Sequence, residues 1–272
     1  MSLRFTKMHG AGNDFVMLDL RGGTQEPSTE ITRLLGDRHM GVGADQIISI
    51  EDPDQDGVLA RYRIWNADGS IAQQCGNGAR CVAAYVDREL GPLTEFTLSS
   101  PAGLHPVTVL GNGHYRIEMG LPEFEPARIP LHGFDTPALT YQALDVEFSA
   151  VSMGNPHAVI VVDSVEGAPV ADIGPLLQNS PYFPESVNVG FAQVIDRTQI
   201  KLRVYERGAG ETLACGSGAC AAAAALMQRD LIDRAVDVSL PGGVLRIEWP
   251  SSGEPITMSG PAAFVFTGEL ND

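Results

Sequence analysis

The chain contains few lysines and no long run of apolar residues, and each shortage excludes a class of protein. The only two lysines are Lys7 and Lys201, and neither stands in the phosphate-binding context of a pyridoxal-phosphate enzyme's Schiff-base lysine. No apolar stretch is long enough to span a bilayer, and the N-terminus lacks the apolar core of a signal peptide. We therefore expect a cytoplasmic protein with no membrane partner.

Positive charge is also scarce, since 18 Lys and Arg residues face 34 Asp and Glu residues, for a formal net charge of −16. Such a chain repels nucleic acid phosphates, so we expect no nucleic acid partner. Hydrophobic residues make up 44% of the 272 residues, which is typical of a globular protein of one or two domains.

The four cysteines lack the short Cys-x-x-Cys spacing of metal and redox motifs. We expect free thiols and no bound metal. Cys81 and Cys220 lie inside apolar, helix-like runs, so we interpret them as core residues.

The leading cysteines, Cys75 and Cys215, belong to an internal repeat. Each begins a Cys-Gly-x-Gly-Ala segment, and the two segments lie 140 positions apart. A polar residue stands nine positions before each cysteine, and further anchors recur at an offset of 142. The matched pairs are Asn66 with Glu206, Gly12-Asn13 with Gly154-Asn155, and Gln46 with Asn188. This repetition predicts two homologous halves with a boundary near residues 120–127.

Each half is rich in alternating, strand-like segments, with a helix after its leading cysteine. The helix after Cys215 is apolar on every side from Ala219 to Met227, so it must be buried all round. We predict an α+β fold in which a curved sheet wraps around a central helix, once per half. The predicted strands are 3–8, 15–20, 46–50, 58–65, 95–99, 114–119, 142–149, 158–162, 188–194, 201–205, 235–240 and 244–249, and the predicted smaller helices are 28–38 and 172–178.

A cysteine before a glycine-rich helix start favours acid–base chemistry beside a carboxylate. The first amides of a helix have no internal partners and carry partial positive charge, so they bind carboxylates and lower a thiol pKa. Two such thiols on opposite sides of one site could remove an α-proton on one face and deliver one on the other. Such inversion needs no cofactor.

The symmetric placement of other polar residues in the two halves supports a functional role for them. Asn13 and Asn155 alone could be turn formers, and Glu206-Arg207 could be a surface ion pair. His157 follows the repeated Gly-Asn anchor, whereas the other five histidines lack such support and are interpreted as structural or surface residues.

Several motifs, in order along the whole chain, resemble those of the diaminopimelate epimerase family. They are Met8-His9-Gly10-Ala11-Gly12-Asn13-Asp14-Phe15, Gly41-Val42-Gly43-Ala44-Asp45-Gln46, Asn66-Ala67-Asp68-Gly69-Ser70, Gln74-Cys75-Gly76-Asn77-Gly78-Ala79-Arg80-Cys81, Met153-Gly154-Asn155-Pro156-His157, Asn188-Val189-Gly190-Phe191, Glu206-Arg207-Gly208-Ala209-Gly210-Glu211-Thr212, Ala214-Cys215-Gly216-Ser217-Gly218-Ala219-Cys220 and Gly260-Pro261.

The resemblance implies an enzyme that interconverts LL- and meso-2,6-diaminopimelate in lysine and cell-wall precursor biosynthesis. It also implies no cofactor or metal, a homodimer, and a C-terminal strand that returns to the first half. The expected domains are therefore residues 1–118 with 262–272, and residues 119–261.

The resemblance assigns roles to individual residues. Cys75 and Cys215 would be the two acid–base groups, with Glu206 assisting Cys215 and His157 assisting Cys75. Substrate binding would fall to Asn13, Gln46, Asn66, Gly76, Asn77, Asn155, Asn188, Glu206, Arg207, Gly216 and Ser217. Phe266 stands where the family often has a tyrosine in its dimer contact, so the ring is kept and the hydroxyl is lost.

Three alternatives stay open at this point. A proline or hydroxyproline racemase uses the same two-thiol logic, but its substrate has no second charged end for Glu206 and Arg207. A non-catalytic or isomerase relative could keep the fold, although both leading cysteines are present here. A thiol-based metal-binding or redox-sensing protein is disfavoured by the cysteine spacing.

Overall fold

The computed structural model describes residues 3–72 and 75–270. Gln74, part of one motif above, and the ends of the predicted domains at residues 1–2 and 271–272 lie outside them. The chain forms two compact units, Met1–Glu118 with Ser259–Asp272, and Met119–Met258. Within the described residues, no helix combines the length and the apolar character needed to cross a membrane.

Strands dominate both units. They are β1 (Leu3–Gly10), β2 (Asn13–Asp19), β3 (Gln46–Glu51), β4 (Ala60–Asn66), β5 (Ile71–Ala72), β6 (Glu95–Ser100), β7 (Gly103–Gly111), β8 (His114–Glu118), β9 (Tyr141–Ala143), β10 (Val146–Ser152), β11 (Pro156–Val161), β12 (Asn188–Asp196), β13 (Gln199–Glu206), β14 (Gly210–Thr212), β15 (Ala235–Leu240), β16 (Gly243–Glu248), β17 (Thr257–Pro261) and β18 (Ala263–Leu270). The helices are α1 (Thr29–Gly36), α2 (Gly76–Leu90), α3 (Val170–Gln178) and α4 (Gly216–Gln228), besides one 3₁₀ turn at Pro126–Arg128.

The two units repeat one pattern of strand pairing, as the sequence repeat predicts. In the first unit β1 pairs antiparallel with β2, β2 runs parallel to β3, and β3 pairs antiparallel with β4. In the second unit β10, β11, β12 and β13 pair in the same order and senses. The register repeats as well, since Phe15 lies opposite Gln46 and His157 lies opposite Asn188.

The predicted helix after each leading cysteine is present and central to its unit. Every residue of α4 from Gly218 to Met227 is buried, and the helix packs against β10, β11, β12, β13, β15 and β16. In the first unit α2 packs against β1, β2 and β8, with Gly76 to Ala84 buried. The sheet-dominated α+β fold is therefore confirmed.

The two smaller helices lie where the parallel strand pairs require a connection. α1 joins β2 to β3, and α3 joins β11 to β12. Ser28 caps α1, because its side chain accepts a hydrogen bond from the Ile31 amide at 3.3 Å.

One predicted strand, 142–149, is wrong. The segment forms a hairpin of β9 and β10, with a turn at Leu144 and Asp145, whose φ angles are 53° and 59°. A turn with two positive φ angles usually carries Asn or Gly, as Asn112-Gly113 between β7 and β8 does. Leu-Asp contains neither Asn nor Gly, and the strand predictions also missed β5, β7, β14, β17 and the start of β11 at Pro156.

The C-terminal segment returns to the first unit from Ser259 onward, three residues before the expected residue 262. Ser259 accepts a hydrogen bond from Arg116 on β8 at 3.3 Å, and the Ala262 amide donates to Gly113 at 2.9 Å. β18 then pairs antiparallel with β1, where Phe266 lies opposite Lys7.

Candidate active site

Cys75 occupies the N-cap of α2. Its backbone is extended, with φ −146° and ψ 107°, and its Sγ accepts a hydrogen bond from the Gly78 amide at 3.4 Å. The thiol is partly buried. One of the helix's unpaired first-turn amides is thus directed at the sulfur, as the sequence predicts.

Asn13 and Asn77 lie beside this thiol. The Asn13 Oδ1 atom, at the start of β2, is 3.5 Å from Cys75 Sγ and 3.3 Å from Asn77 Nδ2. At its other end, Asn13 Nδ2 donates to the carboxylate of Asp45 at 2.8 Å. Residues from two separate parts of the sequence therefore meet at one helix terminus. We define Asn13, Cys75 and Asn77 as the Cys75 half-site.

Gln46 and Asn66 form a second pair in the same unit. They lie opposite each other on β3 and β4, and Gln46 Nε2 donates to Asn66 Oδ1 at 3.0 Å. Asn66 Nδ2 in turn donates to Ser70 Oγ at 3.0 Å. Gln46 is also opposite Phe15 on β2, two residues from Asn13, so strand register brings this pair near the Cys75 half-site.

Cys215 occupies the N-cap of α4 with an extended backbone, φ −114° and ψ 109°. Its side chain is more buried than that of Cys75, with 4% exposed, and its Sγ lies 3.7 Å from Ser217 Oγ. The two cysteines therefore share a position and a backbone conformation but differ in solvent access.

The expectation of a lowered thiol pKa is wrong for Cys215. Burial, together with the charge of the Glu206 carboxylate and its hydrogen bond to the thiol, raises the pKa well above its usual range. The Ser217 hydroxyl and the Gly218 amide act in the lowering direction and are outweighed. Cys215 is consequently a neutral thiol at neutral pH.

Glu206 and Arg207 follow at the end of β13. Thr212 on β14 donates a hydrogen bond to Glu206 Oε1. The Arg207 amide donates to Asn188 Oδ1 at 2.9 Å, and its guanidinium Nη1 donates to the Glu185 carbonyl at 3.0 Å. The Arg207 side chain is exposed and the Asn188 side chain is buried, so the amide of Asn188 secures the backbone that carries both charged residues.

Asn155, His157 and Ser217 are joined by hydrogen bonds in the second unit. Asn155 Nδ2 donates to Ser217 Oγ at 3.4 Å, and the His157 Nε2 atom lies 3.0 Å from Asn155 Oδ1. Burial, with the nearby charge of Arg207, lowers the pKa of His157 to about 3, so the ring is neutral. Gly76 and Gly216 begin α2 and α4 respectively, and both are buried.

Two glycines in the repeated motif are explained by close packing. A Cβ atom on Gly78 would lie 2.7 Å from Ile48 Cδ1. On Gly218 it would lie 3.2 Å from both Cys215 Sγ and Val204 Cγ2. Each helix start can therefore approach its neighbouring strand closely only without a side chain there.

Sequence reasoning missed Arg80 and Asp45 as neighbours of the candidate site. Arg80 is fully buried on α2, and its Nη2 atom donates to Asn77 Oδ1 at 2.8 Å. A charged residue three positions after Asn77, within the mainly apolar first part of α2, was the available signal, because arginine is rarely buried without a partner. Asp45 precedes Gln46 in the glycine-rich motif and holds Asn13.

The remaining cysteines are core residues, as predicted. Cys81 and Cys220 are completely buried, and all four cysteines are free thiols. In the part of the chain that the structure describes, no group of three or more His, Cys, Asp or Glu side chains is arranged to hold a metal ion.

Similar proteins of known structure share the fold. The chain superimposes on a hydroxyproline epimerase from Agrobacterium vitis with a TM-score of 0.72 at 14% identity, covering 99% of this chain and 91% of that one. A predicted epimerase from Pseudomonas aeruginosa gives a TM-score of 0.68 at 17% identity, covering 98% and 99%. At such identities the likeness concerns the fold alone.

Sequence comparisons are more specific. The family model described as diaminopimelate epimerase matches residues 5–125 and 149–265. A diaminopimelate epimerase from Xylella fastidiosa (strain M12) is 60% identical over 272 residues, 98% of this chain and 95% of that protein. One from Xanthomonas oryzae pv. oryzae (strain MAFF 311018) is 58% identical over 274 residues, 99% and 96%. Because these matches run through both units and both cysteine motifs, the chain belongs to the diaminopimelate epimerase family.

Proposed function

We propose that this chain interconverts LL- and meso-2,6-diaminopimelate by moving the α-proton, with Cys75 and Cys215 as the two acid–base groups. The observation that carries the proposal is the repetition of one arrangement, in which each unit caps a buried helix with a cysteine. The names of relatives 58% and 60% identical to the chain support the choice of substrate.

Inversion at the α-carbon needs a base on one face and an acid on the other. One thiolate takes the proton as the Cα–H bond breaks, and the opposite thiol gives its proton to the carbanion. The thiols exchange roles in the reverse direction. Negative charge spreads onto the substrate carboxylate, and the first-turn amides of α2 at Gly76-Asn77 and of α4 at Gly216-Ser217 would stabilise it.

The protonation of each thiol requires a partner. The raised pKa of Cys215 suits a resting proton donor, and Glu206 is the group that would accept its proton when Cys215 acts as base. His157 would assist Cys75. Its pKa is lowered partly by Arg207, so a substrate carboxylate bound to Arg207 would oppose that effect and make the ring a better base.

The far end of the substrate carries a second carboxylate and a second ammonium group. Arg207 suits the carboxylate because a guanidinium binds it bidentately, and Glu206 suits an ammonium. The amides of Asn13, Gln46, Asn66, Asn155 and Asn188 would bind the remaining polar groups. A cyclic imino acid has no such second end, which favours diaminopimelate over proline derivatives.

We also propose a homodimer that uses the face of β18 bearing Phe266. Phe264 and Phe266 are 36% and 48% exposed, although aromatic side chains are usually well buried. A reducing compartment such as the cytoplasm would keep the four thiols free.

The test is incubation of the purified protein with LL-diaminopimelate in deuterium oxide, without added cofactor or metal. We expect meso product with solvent deuterium at the α-carbon. Cys75→Ala and Cys215→Ala should each lower turnover by at least about 100-fold, the range for loss of a general acid or base. Cys81→Ala and Cys220→Ala are matched controls, because they remove core thiols from the same two helices, and they should stay active.

Two other outcomes would change the proposal. Near-wild-type turnover in Cys75→Ala or Cys215→Ala would remove that residue from the mechanism. No product and no deuterium uptake with diaminopimelate, but racemisation of proline or hydroxyproline, would keep the two-thiol chemistry and replace the substrate.

A further inference from the structure

We infer that Arg80 is a positioning residue for the Cys75 half-site, where it acts through Asn77 to direct Asn13 Oδ1 toward the Cys75 thiol. This inference rests on the proposed function for its kinetic consequence. It assigns a task to a residue outside the set of substrate-binding and acid–base groups.

A continuous line of hydrogen bonds leads from Arg80 through Asn77 and Asn13 to Cys75. Arg80 is fully buried on α2, and its Nη2 atom donates to Asn77 Oδ1 at 2.8 Å. Asn77, with 1% of its surface exposed, donates from Nδ2 to Asn13 Oδ1 at 3.3 Å. The same oxygen lies 3.5 Å from Cys75 Sγ.

A guanidinium can only donate hydrogen bonds, and this sets the direction of the line. Asn77 must present its oxygen to Arg80, so its amide nitrogen points at Asn13. Asn13 must then present its oxygen to both Asn77 and Cys75. At the far end Asn13 Nδ2 donates to the Asp45 carboxylate, which only accepts, so both ends exclude a flipped amide.

Arg80 is itself held in place within the first unit. Its Nε atom donates to the Pro261 carbonyl at 3.4 Å, on the segment that returns to this unit. Gly10 on β1 leaves room for it, since a Cβ there would lie 3.3 Å from Arg80 Nη2 and 3.1 Å from the Asn77 carbonyl oxygen. The guanidinium therefore occupies a fitted position between β1, α2 and β17.

The second unit differs at the corresponding positions. At the offset of 140, Asn77 and Arg80 correspond to Ser217 and Cys220. Ser217 Oγ meets Asn155 Nδ2 at 3.4 Å, and a hydroxyl can rotate to donate or accept. The first unit therefore has Asn77 with a buried arginine where the second unit has Ser217 with a cysteine. Of these two pairs, the one at the Cys75 half-site contains a buried cation that fixes which atoms donate and which accept.

The kinetic test is a double-mutant cycle with Arg80→Met and Asn77→Ser. Arg80→Met should lower kcat/KM for diaminopimelate by up to about 100-fold, the loss expected from misplacing a reacting group by about 1 Å. In the Asn77→Ser background Arg80→Met should lower kcat/KM by less than about threefold, because the hydrogen bonds that link Arg80 to Asn13 are already lost. Arg80→Lys should recover part of the activity, since it keeps a donor for Asn77.

Val86→Ala controls for stability, because Val86 is fully buried on the same helix and away from the half-site. It should lower the melting temperature while keeping kcat/KM. The inference would be overturned if the loss of kcat/KM in the double variant equalled the product of the losses in Arg80→Met and Asn77→Ser. A loss in Arg80→Met no larger than that of Val86→Ala would also overturn it.

A second measurement needs neither turnover nor the Met variant, which loses a buried charge and could fail to fold. The alkylation rate of Cys75 by iodoacetamide is followed by mass spectrometry in Asn77→Ser, Arg80→Lys and the double variant. Asn77→Ser should speed alkylation, because the thiol loses its fixed acceptor, and the double variant should match Asn77→Ser. An unchanged rate in Asn77→Ser, or an Arg80→Lys effect of equal size in both backgrounds, contradicts the inference. An alkylation pattern as expected in a protein that does not turn over diaminopimelate would reject the proposed function alone.

Discussion

The Nε2 atom of His157 lies 3.0 Å from Asn155 Oδ1, on a ring that is 1% exposed. As Asn155 is oriented here, its Oδ1 atom accepts, which corresponds to a neutral His157 ring with the proton on Nε2. Asn155 then presents its nitrogen to Ser217 at the start of α4. A buried imidazole is thus hydrogen-bonded to the amide that reaches the helix terminus, and Asn155 is one of the proposed substrate-binding residues.

The low pKa of His157 predicts a loss of stability in mild acid. Its folded pKa of about 3 lies below the ordinary 6.5, so the unfolded chain binds the proton more readily. The contribution of the neutral His157 ring to the free energy of unfolding is complete above pH 6.5. It is lost as the pH falls from 6.5 toward 3, by up to about 1.4 kcal/mol per pH unit. His157→Gln should show a shallower fall in the free energy of unfolding between pH 6 and pH 4 than wild type, measured by urea denaturation. Parallel curves would contradict the assignment.

Glu206 should control the titration of Cys215. Its carboxylate raises the pKa of the buried thiol, so Glu206→Gln should lower that pKa and increase the thiolate fraction at a given pH. The thiolate absorbance in the ultraviolet measures this, with Cys75→Ala as the background so that one partly buried thiol is removed. Glu206→Gln should also lower turnover, because the proposed proton acceptor for Cys215 is lost. An unshifted titration would mean that burial alone sets the pKa.

The contact between Gly78 and Ile48 predicts a suppressor. Gly78→Ala places a Cβ 2.7 Å from Ile48 Cδ1, an overlap that should cost about 1–3 kcal/mol and displace the start of α2. Ile48→Val removes the Cδ1 atom, so the double variant should regain both stability and activity relative to Gly78→Ala. Urea denaturation and the epimerase assay provide the two readouts. If the two changes are simply additive, the close contact is not what excludes a side chain at position 78.

The exposed face of β18 predicts the effect of Phe266 on assembly. Phe266→Ala should weaken the proposed homodimer, because a large apolar surface is lost from its contact. Leu104→Ala is the matched control, since Leu104 is 55% exposed on β7, which pairs with β6 and β8 and not with β18. Sedimentation velocity over a range of concentrations should show a shift to monomer in Phe266→Ala only. A wild-type monomer would reject the homodimer itself.

Much of the fold was predictable from local patterns. The repeated Cys-Gly-x-Gly segments begin α2 and α4, and most strands lie within a few residues of the predicted segments. Gln46 and Asn188, which are matched in the sequence repeat, occupy the same register position in their two units. These features could be predicted because strand alternation and helix caps depend on residues that are close together in the sequence.

Other features were not accessible in that way. The turn at Leu144-Asp145 contains neither Asn nor Gly and both residues are exposed, so the pairing of β9 with β10 is what closes it with two positive φ angles. A cysteine at a helix start is expected to have a lowered pKa, whereas burial and Glu206 raise the pKa of Cys215. The contact of Arg80 with Asn77 depends on a buried position in a helix whose surroundings include β1 and the returning C-terminal segment.

The repeat, the positions of the two candidate thiols and the family could all be read from the amino-acid sequence, because they depend on residue types at short and regular spacing. The pKa shifts of Cys215 and His157 and the direction of the hydrogen bonds around Cys75 depend on the folded structure. Burial and charge at these atoms come from strands distant along the chain, and a pKa responds to that three-dimensional environment rather than to neighbours in sequence.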